Sequence, residues 1–191
     1  MAALGAACAA PAPGAGAPPA QPATAESPPI LSRVPELQAL AEKSAEGALG
    51  CGVGTLTLVT SRGRVRIKTG LDPINVFGPS VAIPDLLALL RARIASNQTG
   101  KPGPMSGSVG QLGALSLRLL SASEEPEVLE VSAALLIDAD EHIRRTAAIN
   151  LYELGDRRPP LRPEIRKLRF PQPAVQAAAG VGRQRPDWLR D

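Results

Sequence analysis

Hydrophobic positions change period several times along this chain, and each change marks an element. Val34, Leu37, Leu40 and Ala41 recur at helical spacing, which predicts a first helix over residues 34–48, with Ser32 as its cap and Gly47, Gly50, Gly52 and Gly54 breaking it. From Thr55 the period drops to two. Leu56 and Leu58 alternate with Thr55, Thr57 and Thr60, and after Ser61-Arg62-Gly63 the alternation resumes with Val65 and Ile67. This is the pattern of a β-hairpin over 55–69, and because a lone hairpin is marginal it must pack on helices or find another strand. Residues 71–83 carry Pro73, Gly78 and Pro79 and read as a long connection. Pro84 then suits the first turn of a helix over 85–96, with Leu86, Leu87, Leu90 and Ile94 on its apolar face.

Residues 97–107 hold Gly100, Pro102, Gly103, Pro104 and Gly107 and read as a linker that divides the folded part in two. Three helical patterns follow. The first covers 109–122, with Val109, Leu112, Leu115 and Leu119 on one face. The second covers 124–137, with Ser123 as cap and acids in its first turn. The third covers 139–154, with Asp138 and Glu141 at capping-box spacing and Gly155 as the stop. The expected class is therefore α+β and mostly α: a small helical domain over 30–156 with one β-hairpin and about five helices. Two arms flank it. Residues 1–29 are nearly all Ala, Pro and Gly, and residues 157–191 are Arg/Pro-rich with a short helix near 164–169. Both are expected to be disordered, since such sequence buries too little side chain to offset the entropy of ordering.

Composition sharpens this picture in two ways. There are only four aromatic residues, Phe77, Tyr152, Phe170 and Trp188, and the last two fall in the expected tail. The core is then expected to be built from Leu, Ile, Val and Ala. Two cysteines, Cys8 and Cys51, exclude a disulfide framework and are read as reduced thiols of an intracellular protein, cytoplasmic or nuclear. No apolar run approaches the roughly 18–20 residues that span a bilayer. The first ten residues lack a basic region and run into Pro11 and Pro13, so a secretory signal is not expected. Asn97-Gln98-Thr99 matches a glycosylation acceptor, but is better read as a helix end entering a loop.

The segment 140–156 carries a leading acid, Ile143-Arg144, Ala147-Ala148, Leu151 and a closing Leu154-Gly155-Asp156, and it resembles the second helix of a HEAT-type repeat. Residues 124–137 could serve as the first helix, so the resemblance covers 123–156. It implies a helical pair that packs on like neighbours and offers a surface to a protein partner. A plain helical hairpin fits the same residues.

Candidate chemistry is sparse. Asp138-Ala139-Asp140 would suit a metal ion if it ended a buried strand, but capping by Asp138 accounts for Glu141 as well. His142 is the single histidine, placed at a helical start beside acids and arginines, where a solvated side chain is expected. Gly100-Lys101-Pro102 lacks the hydroxyl residue and first glycine of a phosphate loop. No catalytic, cofactor or metal residue is assigned, and an enzyme is not expected.

Charge says more. Cations against acids run two to four over residues 1–60, seven to two over 61–101, three to eight over 102–155, and nine to four over 156–191, so a net +3 hides two strongly basic blocks. In the first, Arg64, Arg66 and Lys68 alternate with Val65 and Ile67, which puts three cations on one strand face beside Arg62 in the turn, with the aliphatic pair facing the core. In the second, Arg157, Arg158, Arg162, Arg166, Lys167 and Arg169 stand among Pro159, Pro160 and Pro163. These ten are the candidate binding residues for nucleic acid or an acidic partner. The expected function is a non-enzymatic structural or interaction module that assembles with itself or a protein partner through its helical hairpins, with no membrane partner. The alternative is a coat- or nucleocapsid-type protein that binds RNA without sequence preference through the hairpin and tail. No aromatic side chain lies among the hairpin cations to stack on bases.

Overall fold

A computed structural model of the chain describes residues 29–49, 52–100, 110–123 and 125–190. The expected N-terminal arm, Pro29 apart, and residues 101–107 of the expected linker lie outside them. The class is α+β and mostly α, with eight helices and one three-stranded sheet among the described residues.

The first helix, α1 (Val34–Ala45), enters through a 3-10 turn over Ile30–Arg33 and has Pro35 in its first turn. Ser32 does not cap it. Its hydroxyl donates to the Pro29 carbonyl at 2.7 Å, and the helix starts without a side-chain cap, Pro35 removing one of the leading amides that would lack an intrahelical acceptor. Strands β1 (Val53–Thr60) and β2 (Gly63–Gly70) form the expected hairpin. The expected connection after it is structured instead: α2 (Leu71–Phe77) is followed by β3 (Ser80–Ala82), which pairs parallel to β1. Pro73 is tolerated because it falls in the first turn of α2, where amides have no intrahelical partner. The sheet order is β2-β1-β3, so the hairpin finds a further strand and also packs on α2 and α3.

Helix α3 (Ile83–Thr99) contains Asn97 and Thr99, so the helix runs three residues into the expected linker. Its neighbours α4 (Gln111–Leu120), α5 (Glu127–Ala134) and α6 (Glu141–Arg157) correspond to the three predicted patterns, with different ends. The Ser123 hydroxyl accepts from the Glu125 amide at 3.1 Å, but α5 begins only after Pro126. Asp140, not Asp138, caps α6: one carboxylate oxygen accepts from the amides of His142 and Ile143 at 2.8 and 3.3 Å. The other accepts from the Gly110 amide at 2.8 Å, so one acid serves the starts of both α4 and α6. A Cβ at Gly110 would lie 2.6 Å from the Asp140 carboxyl carbon, and only glycine leaves that approach open.

Asp138 is buried for another purpose. It takes a two-pronged ion pair from Arg93 of α3 at 2.9 and 2.7 Å, a bond from Asn97 at 2.6 Å and one from the Asp140 amide at 2.8 Å. Burial pushes its carboxyl up, but these four donors outweigh it and hold the group below the usual carboxylate range. The Asn97 side-chain amide is thus committed to Asp138, although the residue itself is exposed.

The segment after α6 does not behave as a tail. Helices α7 (Arg162–Arg166) and α8 (Gln172–Gly180) fold back on α6, and Ile165, Ala174, Ala178 and Leu189 are buried in the same core as Leu37, Leu58 and Leu90. Prolines at the second position of both helices start them rather than break them. The small alanine face of α8 lets it approach α6 closely. Gly155 is not the stop of α6 but a buried position within it: a Cβ there would lie 2.3 Å from the Trp188 ring. Trp188 is fixed over it by its indole N–H, which donates to Asp156 at 2.7 Å. Tyr152 and Phe170 stack with ring centroids 5.7 Å apart, so the late aromatics belong to the packing after all. Residues before and after 101–109 share one core.

Candidate basic interface

The register of the hairpin decides which side chains share a face. Leu56 opposes Ile67 and Leu58 opposes Val65, while Thr55, Thr57 and Val59 oppose Lys68, Arg66 and Arg64. Directly opposed residues lie on the same side of a sheet. Leu56 and Leu58 are fully buried, so the cations are carried on the outer face, and all three are exposed. The aliphatic partners follow only in part. Ile67 packs against the core, but Val65 is 44% exposed, because near the turn the edge strand overhangs the helices below. Arg64, Arg66 and Lys68 form no ion pair among the described residues.

Arg62 is set apart from this row. The turn is anchored by Glu125, whose carboxylate accepts from the Ser61 hydroxyl at 2.6 Å and the Ser61 amide at 3.1 Å. Those bonds, with a smaller contribution from the charge of Arg62, hold Glu125 below its ordinary value. Arg62 therefore faces an acid, and its charge is partly answered at the tip.

At the other end of the row, Lys68 also borders a cleft of about 820 Å³ between β2, α4, α6 and the segment after α8. Three further cations line it, Arg118, Arg145 and Arg183, against a single acid, Glu153. Arg183 reaches Glu153 at 3.4 Å across an exposed gap. Arg145 donates to Nδ1 of His142, which fixes its guanidinium at the rim. The histidine is thus half-buried and engaged rather than freely solvated. Ile67, Ile149 and Val181 supply apolar surface to the cleft.

The second predicted basic block is not brought to this site, and much of it is committed internally. Arg157 donates to the carbonyls of Ser121 and Glu153. Arg162 donates to the Gly155 carbonyl at 2.9 Å and stacks its guanidinium over Trp188, 5.3 Å from the ring centroid. Arg166 donates to the Trp188 carbonyl at 2.6 Å. Arg158 is half-buried, and Lys167 and Arg169 are exposed. Conversely Arg118, Arg145 and Arg183 went unmarked in the sequence, since two lie in the acidic block and one beyond the Pro-rich run. Only the packing of α4, α6 and the end of the chain beside β2 gathers them.

Among the described residues no group of three His, Cys, Asp or Glu side chains could hold a metal ion, and no helix is long and apolar enough to cross a membrane. Comparison with family models, with curated proteins and with solved structures finds no match for the chain.

Proposed function

We propose that this chain is a non-enzymatic module that binds the phosphate backbone of single-stranded nucleic acid without reading its sequence. One observation carries the reading: Arg64, Arg66 and Lys68 stand in an exposed, unpaired row on the outer face of an edge strand, continuous at Lys68 with the basic cleft. Successive cations on one face of a strand are spaced by about 6.7 Å, two residues of rise, so an extended polyanion can meet them one after another. Arginine suits phosphate because its planar fork donates two bonds at once. No aromatic ring stands in the row, which favours backbone contact over base recognition. Assembly through the helical pair is less favoured, because α6 already packs against α4, α5 and α8.

The test is retention of the full chain on a single-stranded homopolymer as salt is raised. Affinity should fall log-log with salt by about 0.7 for each phosphate contacted, and Arg64→Ala/Arg66→Ala/Lys68→Ala should lower both affinity and slope. Retention that is absent at low salt, or indifferent to the triple substitution, rejects the reading and returns the chain to protein assembly.

A further inference from the structure

We infer that the cleft between β2, α4 and α6 holds one nucleotide unit of the bound strand, with its phosphate among Lys68, Arg118 and Arg145 and its base against Ile67, Ile149 and Val181. The inference rests on the nucleic-acid reading above and adds a site that the hairpin alone does not provide. At about 820 Å³ the cleft falls within the range, roughly 300–1,000 Å³, of sites that enclose a small ligand. Its lining combines cations and aliphatic side chains, with Thr69, Ser121, Thr146 and Asn150 between them. A cationic rim alone would suit any anion, and an apolar floor alone any hydrophobe, but a nucleotide carries a phosphate and a flat, weakly polar base on one unit. Lys68 belongs both to the outer row and to the rim, so a strand lying on Arg64 and Arg66 reaches the cleft without a break in cationic contact.

The rim is prepared for an anion. Arg145 is held in place by His142, which limits the side-chain freedom lost on binding. Among the described residues Arg183 pairs with Glu153, at 3.4 Å and with both side chains well exposed, the kind of ion pair that contributes little. An arriving phosphate can therefore take Arg183 from Glu153, and Glu153 acts as a like-charged competitor at the entrance. Ile67, Ile149 and Val181 receive a base by apolar contact that does not select among the four.

The experiment measures binding of a fluorescein-labelled oligouridylate to the full chain by anisotropy at low salt, with uridine monophosphate, uridine, inorganic phosphate and an oligoglutamate of equal charge as competitors. Arg118→Ala/Arg145→Ala should weaken oligouridylate binding by at least about tenfold, the loss expected from a single charge-assisted contact to phosphate. Glu153→Gln should tighten it a few-fold. Uridine monophosphate should compete at concentrations where uridine and phosphate, each lacking half of the ligand, do not. Arg118 is exposed, so Arg118→Glu alone gives the same answer should the double variant fail a circular-dichroism check of its fold. If the cleft variants bind like the parent while the hairpin triple has lost affinity, the cleft inference falls and the basic face stands. If the parent does not bind the oligonucleotide, both fall. Inorganic phosphate competing as well as the nucleotide removes the base from the cleft, and oligoglutamate competing as well as oligouridylate reassigns the surface to an acidic protein.

Discussion

The hairpin and the segment after α6 are the two arginine-rich regions of this molecule, each belonging to a block with a surplus of five positive charges, yet they use those charges in opposite ways. On β2, Arg64 and Arg66 point outward from an edge strand whose neighbours on that face are Thr57 and Val59, which accept no ion pair. At the end of α6 and beyond it, Arg157, Arg162 and Arg166 lie beside backbone carbonyls of Ser121, Glu153, Gly155 and Trp188, and donate to them. The Ser121 and Gly155 carbonyls lie at helix ends, which lack intrahelical donors and carry the negative end of the dipole, so a nearby guanidinium finds acceptors there. The lesson is that an arginine's duty is set by the acceptors within its reach. Arg93 shows a third fate: buried between helices, it forks onto both carboxylate oxygens of Asp138.

That contrast can be attacked at three points, of which the buried pair should respond most. Asp138→Ala takes from the buried Arg93 guanidinium the carboxylate it forks onto, and should cost about 3–5 kcal/mol in urea denaturation. The pair also predicts an acid limb. Because the carboxyl is held below its value in the unfolded chain, about 3.9, its stabilisation is complete above that pH and is lost as pH falls through the lower, folded value. A stability profile flat through this acid range, or one unchanged in Asp138→Asn, would show that the pair is not the titrating element.

Gly155→Val comes next. It asks whether the C-terminal segment is part of the fold, since the new side chain must displace the Trp188 ring. We expect a loss of about 1–3 kcal/mol, as for other overpacked sites, together with a red shift of Trp188 fluorescence as the ring moves into water. A variant as stable as the parent, with unchanged emission, would mean that the segment is not docked on α6.

The smallest effect compares arginines directly. Arg162→Ala removes a bond to the Gly155 carbonyl and the stack on Trp188, and should lower stability by about 1–2 kcal/mol. Arg64→Ala, exposed on the strand, should change stability by less than about 0.5 kcal/mol. Equal thermal shifts for the two would erase the distinction between structural and free cations.

Local pattern was enough for much of this molecule. The period of two around Leu56 and Leu58 specified the hairpin and its outward cations, because alternation along a strand is a property of the backbone itself. Helical spacing likewise placed α1, α3, α4 and α6, and Pro84 marked the first turn of α3. Punctuation misled where a residue had two uses. Pro73, Pro163 and Pro173 stand in first turns, not loops, and Gly155 makes room for an indole within a helix. Asp138 and Asp140 are both plausible caps by spacing, and only the arrival of Arg93 from α3, 45 residues earlier, takes Asp138 out of that role.

What the sequence alone determined, then, is the class, most element positions and the basic row on β2, all of which follow from contacts between residues close in the chain. What tertiary structure decided is which arginines stay free. Arg162 is drawn to the carbonyl end of α6 and Arg166 to the Trp188 carbonyl, while Arg118, Arg145 and Arg183, far apart in sequence, converge with Lys68 on one cleft. Charge has no periodicity of its own, so its partners depend on which surfaces the hydrophobic core brings together.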